Sequence, residues 1–157
     1  MKNLIFYILL FLFTLNNVYS QSGWVWQNPL PQGNTLNDNC FINENTGFLV
    51  GNRGVVVTTT NSGINWQTMY LPTTQNLNAV KFIDLNTGYI VGDSSKIFMS
   101  INGGLNWNKI NYSGNSKFND INFYNNNNGL ITGSNFILKT TNSGQNWVNI
   151  LTLSSGY

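Results

Sequence analysis

Few side chains in this chain can do chemistry. Across 157 residues there are five carboxylates (Asp38, Glu44, Asp84, Asp93 and Asp120), one arginine (Arg53), one cysteine (Cys40) and no histidine. Two carboxylates facing a common space would be the minimum for hydrolysing a glycosidic bond. Asp38 and Asp120 are the pair to weigh, because they stand at equivalent places in a repeat, with Ala79 at the intervening copy. Glu44 and Asp84 fall in turn sequences, where a carboxylate caps backbone N–H groups. There is no Asp-x-Asp-x-Asp loop and no Cys/His spacing, so the sequence implies no metal and no cofactor. Cys40 lies in an apolar strand pattern without a second cysteine or a histidine to assemble around it. It reads as a small core residue and cannot form an intrachain disulfide. With only 8% charged residues and a net charge of +2, the chain lacks the basic footprint of a nucleic-acid binder.

The polar groups that recur are of another kind. Thr59-x-Asn61-x-Gly63-x-x-Trp66 returns as Ser100-x-Asn102-x-Gly104-x-x-Trp107 and as Thr140-x-Asn142-x-Gly144-x-x-Trp147, at spacings of 41 and 40 residues. Hydroxyl and asparagine side chains at such spacing bond to nearby backbone, with the asparagine expected to form an Asx-type turn. The glycine permits positive φ, and the tryptophan covers the turn, its indole N–H free to reach a carbonyl. All four fixed positions have structural reasons, so the motif reads as a turn lock.

The elements that carry the motif keep the same period. Alternating runs at 36–41, 77–82 and 118–123 predict half-buried first strands. Asn-x-Gly turns then lead into short apolar second strands ending at Gly51, Gly92 and Gly133. Third strands are expected at 55–59, 97–100 and 136–140. The motif follows each, and its tryptophan is expected to open a fourth strand, at 66–70, 107–110 and 147–151. Four strands per 41 residues, with no helical periodicity beyond the first twenty residues, is an all-β pattern of propeller blades; a β-solenoid would use shorter repeats. The chain is expected to be a partial β-propeller of three four-stranded antiparallel blades (about 36–70, 77–110 and 118–151) with an orphan outer strand before them. That orphan starts at Trp26, which stands 40 residues before Trp66.

The motif resembles the Asp-box of the bacterial neuraminidase repeat, with asparagine in place of aspartate in all three copies. The larger unit, strand, Asn-Thr-Gly-aromatic-x-Val-Gly, strand and motif, is more similar to propellers related to the photosystem II stability and assembly factor. Such units also occur in secreted bacterial proteins. The resemblance spans 24–151 and implies a fold rather than a reaction, since the box is a fold element lying away from any active site. A sialidase, as that family implies, needs three arginines, a Tyr/Glu nucleophile pair and an acidic residue; one arginine and one glutamate cannot supply them. No catalytic residue is assigned, and any site would have to lie in blades outside this chain.

Residues 1–20 combine Lys2, an apolar run of about a dozen residues and a polar stretch ending at Ser20, the pattern of a secretory signal peptide, too short for a membrane span. The remainder, 21–157, is expected in the periplasm, at the cell surface or outside, with no membrane contact after cleavage. Three blades are too few to close a ring that typically has 4 to 8. The chain is therefore expected to be the N-terminal part of a larger propeller, or else a homo-oligomer. The leading function is a non-enzymatic module that binds protein or serves as a surface scaffold. The alternative is a carbohydrate-active module, binding glycan or forming part of a glycosidase. Loops opposite the motif end offer Arg53, Asp93, Tyr70 and Tyr112 as a candidate binding face.

Overall fold

The computed structural model describes residues 33–153, so the signal segment and the orphan strand at Trp26 lie outside the described residues. Among the described residues, twelve strands form three antiparallel sheets. The first blade comprises β1 (Leu36–Phe41), β2 (Gly47–Gly51), β3 (Val55–Thr59) and β4 (Gln67–Tyr70). The second is β5 (Leu77–Phe82), β6 (Gly88–Gly92), β7 (Lys96–Ser100) and β8 (Asn108–Ile110). The third is β9 (Phe118–Phe123), β10 (Gly129–Gly133), β11 (Phe136–Thr140) and β12 (Val148–Thr152). Within each sheet the strands lie in sequence order, and β5 packs beside both β1 and β9, so the first strands of successive blades are neighbours. This is the predicted all-β arrangement of three propeller blades. One boundary differs: each fourth strand begins one residue after the motif tryptophan, and the rings of Trp107 and Trp147 are turned into the clusters between blades instead of joining the ladder.

The second blade shows why the pattern folds this way. Strand side chains alternate between faces, and in β6 all five residues are buried, so both faces must be covered. Val80, Ile90 and Phe98 join Phe48, Val50 and Val56 of the first blade in one apolar cluster. Ala79, Tyr89, Val91 and Ile97 join Ile121, Ile131 and Leu138 of the third in another. The core of this molecule is therefore two layers, each lying between blades.

Polar groups set the register of those layers. Each first strand has a bulge near its start, leaving Asn37, Asn78 and Asn119 unpaired in their ladders. A bulge re-aims the side chain it carries. Asn37 Nδ2 donates to the Leu77 carbonyl at 2.8 Å, and Asn78 Nδ2 donates to the Phe118 carbonyl at 2.7 Å, each crossing to the next blade. Asp38 Oδ2 accepts the Val80 backbone N–H at 2.9 Å across the first joint.

The motif glycine completes each joint. A ring from the preceding blade lies where a side chain would sit: a Cβ at Gly104 would collide with the Phe48 ring, and one at Gly144 would lie 2.6 Å from the Tyr89 ring. Phe48 stacks on Phe82 with centroids 4.8 Å apart, and Tyr89 stacks on Phe123 at 4.7 Å, repeating the arrangement one blade on. The Tyr89 hydroxyl also donates to the Ser143 carbonyl inside the third motif. At Gly63 the nearest group is its own Trp66 ring at 3.4 Å, and no ring from another blade is found there among the described residues.

Two predictions test the joints. Gly63 and Gly104 share nearly the same positive φ, 83° and 81°, so an alanine strains both backbones alike. Only Gly104→Ala also displaces a ring, and chemical denaturation should show it costing about 1–3 kcal/mol more than Gly63→Ala. Burial, with a smaller contribution from the charge of Asp84, pushes the Tyr89 phenol up to about 12. An unfolded tyrosine ionises near 10, so the folded state holds this proton more tightly. The associated stability is complete below pH 10 and is lost as pH rises from 10 to 12. Denaturation at pH 9 and near 11.5 should show the native chain losing about 2 kcal/mol more than Tyr89→Phe.

Candidate functional site

Each motif builds the same knot of hydrogen bonds. In the second copy the Ser100 hydroxyl donates to Asn102 Oδ1 at 3.0 Å and accepts the backbone N–H groups of Asn102 (3.3 Å) and Gly104 (2.9 Å). Asn102 Oδ1 then accepts the N–H of Asn106 at 3.0 Å. Thr59 with Asn61, and Thr140 with Asn142, repeat these bonds with distances within 0.1 Å. A hydroxyl has one proton and two lone pairs, and here all three are engaged. The group is buried and has no valence left with which to attack or bind a ligand.

Two details depart from the sequence expectation. The asparagine does not form an Asx-type turn: its carbonyl oxygen reaches four residues on, because the hydroxyl two residues earlier already takes the nearer N–H groups. The Asx-type bonds occur instead in the turn between the first and second strands, where Asn43, Asp84 and Asn125 each accept the N–H groups two and three residues later. In Asp84, slight burial raises the carboxyl pKa, but the N–H groups of Asn86 and Thr87 outweigh it and hold the pKa below its ordinary value. The second departure concerns the tryptophans. The indole N–H groups of Trp107 and Trp147 are buried without a partner. Trp107 stands edge-on to Phe48 and Phe82, and Trp147 edge-on to Phe123, in surroundings of phenyl carbon. Packing against those rings outweighs an unmade bond that costs about 1–3 kcal/mol.

The two turns at this end of each blade are tied together. Backbone N–H groups of Ser62, Gly103 and Ser143 donate to the carbonyls of Asn45, Asn86 and Asn127. The opposite end is built from the loop after the second strand and the connection between blades, as expected. The Arg53 N–H approaches Asn76 Oδ1 at 3.4 Å, and Gly54 N–H donates to the Gln75 carbonyl. Of the four candidate residues there, Arg53 and Tyr70 are exposed. Asp93 accepts from the side-chain amides of Asn76 and Asn78, and half-buried Tyr112 stands edge-on to Phe118. These four residues therefore divide into two accessible and two that hold the joint.

Asp38 and Asp120 also have local duties. Asp38 spans the first joint, and Asp120 Oδ1 accepts the N–H of its own neighbour Ile121 at 2.8 Å. Among the described residues no three His, Cys, Asp or Glu side chains gather as a metal site would require.

The motif end holds what the sequence reading passed over. Phe41, Ile64, Leu85, Ile101, Leu105 and Tyr124 all lie at this end, and each is 53–74% exposed. Two clefts open there at successive joints. One of about 360 Å³ is lined by Phe41, Ile42, Phe82, Ile83, Asp84 and Leu85. The other, of about 250 Å³, involves Lys81, Phe82, Ile83, Phe123, Tyr124, Asn125 and Asn126. The signal was present in the motif's variable positions: Ile64, Ile101 and Leu105 are apolar where a solvated turn would be polar.

Comparison with known proteins places this geometry. A structure of YCF48 bound to D1 peptide is 27% identical with TM-score 0.69, over 76% of this chain and 41% of that one. YCF48 from Cyanidioschyzon merolae is 25% identical with TM-score 0.71, over 83% of this chain and 44% of that one. The chain thus spans less than half the length of either. An ancestral GH74 enzyme, 18% identical with TM-score 0.58 over 71% of this chain and 18% of its own, shares the fold alone. No curated protein matches the chain. The family model described as photosynthesis system II assembly factor YCF48 matches residues 60–155, from the first motif through the third blade, and the chain belongs to that family.

Proposed function

We propose that this chain is an exported, non-enzymatic propeller module that binds extended protein segments across the motif end of its blades. The observation that carries this is the set of six exposed apolar side chains at the motif end, of which Phe41, Leu85 and Tyr124 line two clefts repeated at successive joints. Exposed apolar side chains gathered at one end of a domain mark interaction sites, and turns held by a rigid sheet are the usual place for them. The solved YCF48 complex with D1 peptide supports a protein ligand in this family. The clefts carry few charges, Lys81 and Asp84, so the favoured segment presents apolar side chains. Export follows from the signal-type pattern of residues 1–20. The absence of catalysis is supported by the internal bonding of the motif hydroxyls and of Asp38.

A displayed peptide library should yield apolar segments that bind the purified chain in fluorescence anisotropy. Leu85→Asp and Leu105→Asp should each weaken binding roughly tenfold or more, and Arg53→Ala at the opposite end should leave it unchanged. Asn102→Ala should lower stability by about 1–3 kcal/mol while the folded fraction binds as before. Loss of peptide binding on Arg53→Ala alone would move the site to the opposite end, and binding of polysaccharide in place of peptide would overturn the protein-binding reading.

A further inference from the structure

The two clefts at the motif end share a wall, and that wall carries opposite charges on its two sides. The end of β5 and the turn after it supply Phe82 and Ile83 to both clefts. Successive strand residues face opposite ways. Phe82 accordingly packs in the cluster between the first and second blades, and Ile83 in the cluster between the second and third. The charged residues flanking this pair are divided in the same way: Asp84 lines the first cleft alone, and Lys81 the second alone.

Neither charge meets an opposite charge among the described residues. Asp84 is exposed, and its Oδ1 accepts the neutral backbone N–H groups of Asn86 and Thr87, both at 2.7 Å, which fixes the carboxylate at the rim. Half-buried Lys81 has no hydrogen bond or ion pair among the described residues. Glu44, which takes the place of Leu85 in the first blade's turn, is also exposed and adds a second negative charge on that side. The corresponding turn of the third blade offers the neutral Asn125 and Asn126 to the second cleft. The motif end is thus polarised along the direction in which its clefts repeat.

We propose, resting on the reading of the motif end as a site for protein segments, that its ligand is an extended stretch with two apolar side chains at i and i+3, a basic residue beside the first and an acidic residue beside the second. One apolar side chain enters each cleft, the basic residue meets Asp84 and the acidic residue meets Lys81. Packed sheets lie about 10 Å apart, and a polyproline II chain advances about 3.1 Å per residue and returns to the same face every third residue. Apolar groups at that spacing therefore reach neighbouring clefts. Charges at the rim of an interface fix register and orientation more than raw affinity, so they decide which way round the segment lies. A segment of a single charge sign would be opposed at one cleft or the other.

Anisotropy with three labelled peptides, blocked at both ends, tests this; their cores are Lys-Leu-Pro-Pro-Leu-Glu, Lys-Leu-Pro-Pro-Leu-Lys and Glu-Leu-Pro-Pro-Leu-Glu. The mixed-charge peptide should bind tightest and each like-charged peptide about fivefold more weakly. The difference should close in about 1 M NaCl, where charges are screened beyond about 3 Å. Lys81→Glu, at a side chain with no partner to lose, should transfer the preference to the peptide with two lysines. Asp84→Asn keeps a turn that Asn43 and Asn125 already make in the other blades, and it should narrow the gap to the peptide with two glutamates. Equal affinity for all three peptides, with binding still lost in Leu85→Asp, overturns the charge placement and leaves the motif end as the binding surface. A preference that survives Lys81→Glu overturns it too, as does failure of all three peptides while library segments of another pattern bind. If no segment of any kind binds, the protein-binding reading falls and this inference with it.

Discussion

The constraint on which this structure depends is the fit of a ring from one blade into the glycine of the next blade's turn. Phe48 over Gly104 and Tyr89 over Gly144 bring two sheets close enough for their strand faces to interdigitate. A propeller blade alone buries neither face. Its stability comes from neighbours, so the quality of the joint decides whether the repeat folds at all. The bulged asparagines and Asp38 then fix the register that apolar packing alone would leave loose.

The motif serves this joint from inside the turn. Its hydroxyl holds two backbone N–H groups and the asparagine oxygen, its asparagine ties down the residue before the tryptophan, and its glycine, at Gly104 and Gly144, admits the incoming ring. Because every accepted bond of the asparagine goes to its carbonyl oxygen, the neutral amide does what an aspartate would do there without adding charge. The most regular polar groups of the chain are thus consumed in holding it together. The side chains left exposed at the motif end lie between them and vary from copy to copy.

Much of this was legible in the sequence because the repeat samples each environment three times. Strand positions, blade number and the location of the turns followed from the 41-residue period and from alternation within each run. Three features escaped, the first two because they depend on contacts that only the fold brings together. Asn37 and Asn78 look like ordinary turn formers until the bulge turns them outward. The tryptophans were expected to find carbonyls, but rings contributed from 24 to 59 residues away in sequence stand edge-on to them. The apolar residues at the motif end stand at variable positions of the turns, which are ordinarily solvated, so neither repetition nor alternation marks them. Asp93 and Tyr112, chosen from loop chemistry, turn out to be engaged with the second and third blades.

The unpartnered indoles have a consequence of their own. An indole sealed among phenyl rings, with no hydrogen bond to its nitrogen, emits at shorter wavelength than one in contact with water. Trp147 is only 8% exposed, and the nitrogen of Trp107 is fully shielded. Each sits at a different blade joint, so the short-wavelength part that these two of the chain's five tryptophans add to its emission is a natural optical gauge of whether its sheets are in register.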